Sequence, residues 1–366
     1  MSRTIRGRVM IVHPDPGRLG GIETGIRKIM GRLSVDAESF VVGRRSEEAR
    51  GLPQAARLLR DARRLAKRLD AGDVALVHAN PSLDAKGLLR ESLVLRTARR
   101  RGIKTLVFLH GWREPLEKKI DAFPGVFRAL YGDVDAFMVL GSAFESALRR
   151  WGIRQPVYRG TMVVDDADLE GFDLEAAVAA RAAAPRPTIL FAGRVMREKG
   201  IFRLVEAVRR LHAGGHPVGL DVAGDGPDLD GARAAAAALP GGAVRFRGRV
   251  AANAMPAVYA DATLLCLPTE AEGLPNVLVE AMAFGLPAVT CPVGAIGDVF
   301  RSGEHGVLVD PAVSAEELAE TLLGLLRDSG LREAMARSNH ALATRRFLAS
   351  AAAGEWERIY GEITAR

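Results

Sequence analysis

Cysteine is nearly absent from this chain, which has two cysteines, Cys266 and Cys291, among 366 residues. Both lie in apolar stretches, which predicts reduced core thiols and disfavours a disulfide framework or a thiolate metal site. Long apolar runs are missing as well, since none approaches the ~20 residues of a membrane-spanning helix. The first residues are polar and basic, unlike a signal peptide. These shortages predict a cytoplasmic protein.

Acidic residues are scarce in the first part of the chain. Residues 1–160 hold 31 Lys+Arg and 17 Asp+Glu, a net charge of +14, whereas residues 161–366 hold 20 and 27, a net charge of −7. We therefore expect the first part to face something anionic, such as nucleic acid, an acidic membrane surface or a lipid-pyrophosphate substrate.

Two predicted amphipathic helices, 53–70 and 85–101, carry much of this positive charge. Their basic residues suit either a solvated helix face or contact with an anionic membrane surface, and both interpretations stay open. Nucleic acid is disfavoured as a partner, because the basic residues have no interleaved aromatic side chains and no recognition motif. Under the membrane interpretation, the protein is peripheral on the inner face of the plasma membrane.

Short apolar runs alternate with helical patterns along the chain, which predicts an α/β fold with parallel sheets and helices on both sheet faces. The pattern lapses at 166–187 and then restarts, and 366 residues are too many for one typical core. We predict a Rossmann-like first domain over 1–165, a linker over 166–187, a Rossmann-like second domain over 188–345 and a final helix over 346–366 that packs back on the first domain. Two such doubly wound domains bind ligands in a cleft at the carboxyl ends of their strands.

The individual strand predictions come from β-branched apolar runs bounded by turn residues. They are residues 9–13, 40–42, 74–78, 105–110, 136–140, 188–192, 219–223, 244–247, 264–267 and 288–290.

Two carboxylates, Glu272 and Glu280, flank the turn Gly273-Leu274-Pro275-Asn276. Glu272 precedes a predicted helix over 277–284, and Glu280 lies inside that helix. The start of a helix presents unpaired backbone N–H groups and favours a bound anion. Acidic side chains beside such an anion can accept hydrogen bonds from hydroxyl groups, so this layout predicts a nucleotide-sugar site.

Further candidates lie at the ends of predicted strands. Arg194 and Lys199 follow the strand 188–192, where their charge would neutralise a departing diphosphate, although a plain basic surface loop is the alternative. His110 ends the strand 105–110, and that placement favours a role in binding or catalysis over a plain core histidine. We predict no metal site.

Several motifs in the second half occur in one order. They are Phe191-Ala192-Gly193-Arg194 with Glu198-Lys199-Gly200, Ala223-Gly224-Asp225-Gly226-Pro227, Arg247-Gly248-Arg249-Val250, the stretch 272–283, Gly285-Leu286-Pro287-Ala288-Val289, and Gly303-Glu304-His305-Gly306-Val307. Together they resemble the retaining glycosyltransferases of family 4, also called group 1 glycosyltransferases, which have the two-domain GT-B fold. The first half resembles this family at Gly20-Gly21-Ile22-Glu23 and His110-Gly111-Trp112.

The resemblance implies roles for the matching residues. Arg194 and Lys199 bind the donor diphosphate, Glu280 holds the ribose hydroxyls, and Glu272 holds the hydroxyls of the transferred sugar. The implied catalytic residues are His110, Glu272, Arg194 and Lys199. The implied donor-binding residues are Gly20, Gly21, Gly193, Arg194, Lys199, Gly248, Val250, Glu272, Gly273, Leu274, Pro275, Asn276, Val277 and Glu280.

The function implied is a retaining, metal-independent hexosyltransferase without a cofactor. Its donor is a UDP-, GDP- or similar nucleotide sugar, and its acceptor is a lipid-linked or glycan molecule in bacterial surface polysaccharide or glycolipid synthesis. A GT-B-type nucleotide-sugar epimerase or hydrolase is one alternative. A non-catalytic nucleotide-sugar-binding subunit is another.

Overall fold

The computed structural model of the chain describes residue 5 and residues 7–15, 21–43, 54–81, 84–110, 112 and 114–366. The chain divides into two compact units. The first unit is Met1–Val163 with Ala349–Arg366, and the second unit is Val164–Leu348.

The first unit is built on a parallel sheet. Its strands are β1 (Arg8–Pro14), β2 (Ala37–Val42), β3 (Val74–Ala79), β4 (Lys104–Leu109), β5 (Ala136–Val139) and β6 (Val157–Arg159). Among the described residues these six strands lie in the order β2-β1-β3-β4-β5-β6. Burial of nearly every side chain in β3, β4 and β5 shows that helices cover both faces of the sheet.

Six described helices of the first unit come before β6 in the sequence. They are α1 (Gly21–Met30), α2 (Gln54–Leu69), α3 (Ala85–Arg99), α4 (Glu114–Ala122), α5 (Pro124–Tyr131) and α6 (Ser142–Arg150). Crossovers between parallel strands are right-handed, so helices whose connections step the same way along the sheet share a face. This places α2, α3 and α5 on one face, where α3 contacts both of the others, and α1 on the opposite face.

The second unit, which is described throughout, has its own parallel sheet. Its strands are β7 (Thr188–Ala192), β8 (Gly219–Ala223), β9 (Val244–Gly248), β10 (Leu264–Leu267), β11 (Ala288–Thr290) and β12 (Gly306–Leu308). These strands lie in the order β12-β11-β10-β7-β8-β9. In sequence order, β7 to β9 therefore extend the sheet toward one edge, and β10 to β12 extend it from β7 toward the other edge.

The helices of the second unit cover both faces of this sheet. They are α7 (Leu174–Ala183), α8 (Ile201–Ala213), α9 (Leu229–Ala236), α10 (Met255–Asp261), α11 (Asn276–Ala283), α12 (Ile296–Val299), α13 (Ala315–Arg327) and α14 (Ser329–Arg346). α8 contacts α9 and α13, whereas α14 contacts α11 and α7. The side chains of Ile189, Phe191, Leu220 and Val222 form the core under α8.

Residues 166–187, which the sequence predicts as a linker, lie in the second unit and include α7. Asp173 caps α7 by accepting hydrogen bonds from the backbone N–H groups of Glu175 and Ala176. Val178 is buried, and Arg181 donates hydrogen bonds to the backbone carbonyls of Ala260 in α10 and of Phe284, immediately after α11. An alanine-rich, Pro-punctuated composition concealed a helix that packs on the second sheet.

The final helix, α15 (Ala349–Thr364), belongs to the first unit and contacts α1 and β3. The hydroxyl of Tyr360 lies 2.7 Å from Nδ1 of His78, and the edge of the Trp356 ring meets the same imidazole. Burial lowers the pKa of His78 to about 3, so this contact involves a neutral imidazole. None of the described helices combines the length and apolar content that a bilayer span requires.

Candidate functional site

The strand order of the second unit reverses between β7 and β10, which are hydrogen-bonded neighbours. Connections leaving two such strands diverge to opposite faces of the sheet, which opens a crevice at the carboxyl ends of the strands. The loop after β7 contains Arg194 and Lys199, and the loop after β10 contains Glu272. The reversal thus places the main predicted site residues of this unit on adjacent loops.

Lys199 and Glu272 form an ion pair across these two loops. The Nζ of Lys199 donates to Oε1 of Glu272 and, at 3.3 Å, to the backbone carbonyl of Ala271. Both side chains are largely buried, with 21% and 13% of their surface exposed. Burial raises the pKa of Glu272, whereas the charge of Lys199 and its hydrogen bond act in the opposite direction. Loss of either partner would leave a poorly solvated charge.

Backbone contacts hold the two loops together. Thr269 and Glu270 both donate to the carbonyl of Glu198, from the Thr269 hydroxyl at 3.3 Å and from the Glu270 backbone N–H at 2.9 Å. Gly200 has a φ of +79°, and a Cβ there would overlap the backbone of Pro268. A glycine is therefore required where the loop after β7 meets the end of β10.

A second glycine supports the loop that carries Glu272. Gly294 has a φ of +60°, and a side chain at this position would overlap the carbonyl oxygens of Glu272 and Gly273. The adjacent Ala295 donates its backbone N–H to the carbonyl of Gly273 at 2.7 Å. These contacts hold the turn at 294–295 against the loop that contains Glu272.

Helix α11 begins beside the ion pair. Its N-cap residue, Pro275, makes no side-chain capping hydrogen bond, so the first backbone N–H groups of the helix are not satisfied in that way. Oδ1 of Asn276 is buried and has no hydrogen-bond partner in the part of the chain that the structure describes. Leu274 and Pro275 are buried and hold this start in place. The uncapped backbone N–H groups suit the helix start to a bound anion, whereas Oδ1 of Asn276 can only accept a hydrogen bond from a donor such as a hydroxyl group.

Glu280 lies in α11, one turn beyond this start, and accepts a hydrogen bond of 2.7 Å from the hydroxyl of Tyr259 in α10. Burial and the neighbouring Glu280 charge raise the pKa of Tyr259 well above its ordinary value, so the phenol stays a donor. The Tyr259 ring stacks on Phe284, with ring centroids 5.6 Å apart. Sequence reasoning missed Tyr259, because nothing in a single sequence shows which phenol faces a given carboxylate.

The other predicted residues of the second unit border the same edge of the sheet. Arg194 is exposed, and within the described residues its side chain has no hydrogen-bond or ion-pair partner. Gly193 and Gly248 both have positive φ. Gly224 lies between them, since its N–H donates to the Gly248 carbonyl at 2.8 Å and a side chain there would overlap the Gly193 carbonyl. Val250 follows β9 and is half-buried.

In the first unit, His110 follows β4 and is buried. The NH2 group of Asn80 donates to the carbonyls of Val12 and His78, so the Asn80 Oδ1 accepts a 2.8 Å hydrogen bond from Nε2 of His110. Burial holds the pKa of His110 well below its ordinary value, and Phe108 packs on its ring. His110 is therefore neutral, with Nδ1 as a buried acceptor that has no partner among the described residues.

The remaining predicted residues of the first unit are two glycines. Gly21 begins α1, and Gly20 lies outside the described residues. In the described ranges, no cluster of three or more His, Cys, Asp or Glu side chains is arranged to hold a metal ion.

Comparison with known proteins gives three kinds of result. The profile of the family described as "Glycosyl transferases group 1" matches residues 176–341. Alpha-D-kanosaminyltransferase from Streptomyces kanamyceticus is 32% identical over 184 residues, which cover 49% of this chain and 46% of that protein. Phosphatidyl-myo-inositol mannosyltransferase from Mycobacterium tuberculosis is 29% identical over 313 residues, 82% of this chain and 77% of that protein. The chain thus spans about half the length of the first relative and more of the second.

Solved structures resemble the fold across nearly the whole chain. Sucrose-phosphate synthase from Thermosynechococcus elongatus has a TM-score of 0.73 at 19% identity and covers 98% of this chain and 100% of that one. HepE from Anabaena, solved in complex with UDP, has a TM-score of 0.72 at 16% identity, with coverages of 97% and 100%. With the two parallel sheets, these likenesses confirm the predicted two-domain, Rossmann-like GT-B fold.

Proposed function

Residues 176–341 of this chain belong to the group 1 glycosyltransferases, and from this premise we propose that the protein moves a sugar from a nucleoside-diphosphate-sugar donor to an acceptor. The observation that carries the proposal is the Lys199–Glu272 ion pair beside the uncapped start of α11, at the reversal of the second sheet. Such a site offers a cation and backbone N–H groups to a diphosphate, and a carboxylate to sugar hydroxyls.

The proposed reaction is retaining and needs no metal. The bond between the anomeric carbon and the diphosphate oxygen breaks, and the acceptor oxygen forms its bond to the same face of that carbon. The leaving phosphate oxygen takes the acceptor's proton. Lys199 and Arg194 neutralise the diphosphate as charge develops on it, and the N–H groups at the start of α11 add to that stabilisation.

Glu272 and Glu280 have separate tasks in this proposal. Glu272 accepts hydrogen bonds from the transferred sugar, and its pairing with Lys199 links sugar binding to departure of the diphosphate. Glu280 accepts hydrogen bonds from the ribose, in the orientation set by Tyr259. The roles proposed for His110, Gly20 and Gly21 rest on the family resemblance and remain predictions.

The acceptor is proposed to be lipid-linked or a glycan in bacterial surface polysaccharide or glycolipid synthesis. One relative is named for mannosyl transfer to phosphatidyl-myo-inositol, which is a lipid acceptor of that protein. A HepE structure that shares the fold contains UDP-glucose, so UDP-sugars are the first donors to try. We place the protein at the inner face of the plasma membrane, with the basic first unit toward the anionic surface.

The test begins with a thermal-shift screen of the purified chain against UDP-, GDP-, ADP- and dTDP-sugars. A donor at one hundred times its Kd raises the free energy of unfolding by about 2.7 kcal/mol, which is measurable as a higher Tm. Release of the nucleoside diphosphate is then followed with and without candidate acceptors. A chain that no nucleotide sugar stabilises would contradict the proposal, and free sugar or an epimer formed from donor alone would indicate a hydrolase or an epimerase instead.

Tyr259→Phe is expected to raise the KM for the donor about five- to tenfold and to change kcat less than about twofold. The change removes one hydrogen bond to Glu280 and keeps the stacked ring, so ribose binding weakens while the chemical step is preserved. Steady-state kinetics with varied donor gives both constants. Tyr158→Phe, which removes a phenol–carboxylate bond to Glu362 in the first unit, is the matched control and should change neither.

A further inference from the structure

Helices α2, α3 and α5 form a layer on one face of the first unit's sheet, with α3 in contact with both of the others. Among the described residues of this unit, the large apolar side chains that stand exposed all belong to this layer or its edge. They are Leu59 on α2, Leu89 on α3, Phe123 immediately before α5 and Val126 on α5. This layer thus exposes apolar side chains beside basic ones, and such a combination is found at interaction surfaces.

A groove of about 390 Å³ runs between α3 and α5 in this layer, hereafter the α3–α5 groove. Its α3 wall is a stripe at helical spacing that includes Leu89, Leu93, Arg96 and Arg100. Leu130 on α5 contributes to the opposite wall. The groove therefore has an apolar part near Leu89 and a cationic part toward the end of α3.

The cationic part of the groove carries a net positive charge. Arg99 pairs with Asp133 at 2.6 Å, so these two charges neutralise each other. Arg96 and Arg100 are exposed, and neither guanidinium has a hydrogen-bond or ion-pair partner within the residues described. The three arginines and one aspartate leave two positive charges at the mouth of an apolar groove. That combination matches an anion attached to an apolar chain.

We propose that the α3–α5 groove binds the headgroup of an acidic glycerophospholipid. The phosphate contacts Arg96 and Arg100, whereas the start of the acyl chains packs against Leu89 and Leu93. The exposed Phe123 and Val126 enter the headgroup region beside it. The inference rests on the membrane contact in the proposed function and deepens it, because it assigns a discrete lipid site to what would otherwise be diffuse charge attraction.

The test compares two double variants. Each removes two exposed charges that lie four residues apart and have no hydrogen-bond or ion-pair partner in the described part of the chain. Arg96→Gln/Arg100→Gln changes the groove, and Arg63→Gln/Lys67→Gln changes α2. Affinity is measured by co-sedimentation with vesicles of phosphatidylglycerol and phosphatidylcholine. We expect the groove variant to lose about thirtyfold in affinity for the acidic vesicles and the α2 variant less than about threefold.

Two further measurements separate the lipid from other anions. Leu89→Ser keeps the charge of the groove and is expected to lower affinity for the acidic vesicles about fivefold. Short-chain phosphatidylglycerol below its micelle concentration should protect the groove from Arg modification, whereas glycerol phosphate should not. Equal protection by both would overturn the lipid assignment and indicate a free-phosphate site.

The outcomes are distinct from those of the transferase test. Equal losses of vesicle affinity in the two double variants would overturn the proposed lipid site in the groove and indicate diffuse charge attraction instead. A wild-type chain that ignores acidic vesicles would overturn both the groove and the membrane contact. Neither result bears on donor turnover, because the groove variant should release nucleoside diphosphate at the wild-type rate with a soluble acceptor.

Discussion

Replacing Lys199 with methionine is expected to lower donor turnover about a hundredfold to a thousandfold. The variant loses the cation that neutralises the leaving diphosphate, and it leaves Glu272 buried without its partner. The same change should raise the pKa of Glu272 further, because burial then acts unopposed by that cation. Release of nucleoside diphosphate at saturating donor measures the loss.

The matched control for this variant is Arg209→Met. Arg209 forms an ion pair with Glu206 in the same unit, but both side chains are well exposed, so its loss should leave turnover unchanged. Turnover of Lys199→Met at the wild-type rate would remove the ion pair from the proposed site. Thermal unfolding of both variants checks that any loss of activity is not a loss of fold.

The Lys199–Glu272 ion pair also predicts the acid limb of the pH profile of turnover. Burial raises the pKa of Glu272, so its carboxylate becomes protonated as the pH falls through a pKa higher than that of an ordinary glutamate. Turnover should fall with this protonation, and this limb should be absent from the residual activity of Glu272→Gln. A profile of the variant with the same limb as the wild type would assign the titration to another group.

Arg181→Met is expected to destabilise the second unit by about 3 kcal/mol. The guanidinium donates four hydrogen bonds of 2.9–3.3 Å to carbonyls at the ends of α10 and α11. Burial lowers the pKa of Arg181 to about 10, so it remains charged at neutral pH. The variant leaves these carbonyls without that donor, and it loosens the helices that carry Tyr259 and Glu280. Urea unfolding measures the destabilisation.

A second readout separates stability from positioning. Loosening of α10 and α11 should also raise the KM for the donor under conditions where the variant stays folded. Arg186→Met is the matched control, because Arg186 donates to one exposed carbonyl, that of Gly242, and its loss should cost less than about 1 kcal/mol. Equal destabilisation by the two variants would contradict the role given to Arg181.

The regular elements follow closely from local patterns. The predicted strands correspond to ten of the twelve strands among the described residues. The predicted helices 53–70 and 85–101 appear as α2 and α3, with Pro53 outside the described residues. The two missed strands, β6 and β12, have three residues each. β11 is equally short and was predicted, but all three of its side chains are buried. β6 is half-buried throughout and β12 buries only Gly306, so neither presents the buried apolar run that indicates a strand in the sequence.

The sequence by itself determined the resemblance to the group 1 glycosyltransferases and the alternating α/β pattern, and it predicted the candidate residues, because motif order and hydrophobic periodicity are properties of the chain. The tertiary structure decided three further features: the Lys199–Glu272 contact, the Tyr259–Glu280 bond and the place of α7 in the second unit. Lys199 and Glu272 are 73 residues apart and meet because the sheet order reverses between β7 and β10. Such pairings depend on strand order and helix packing, which no local pattern specifies.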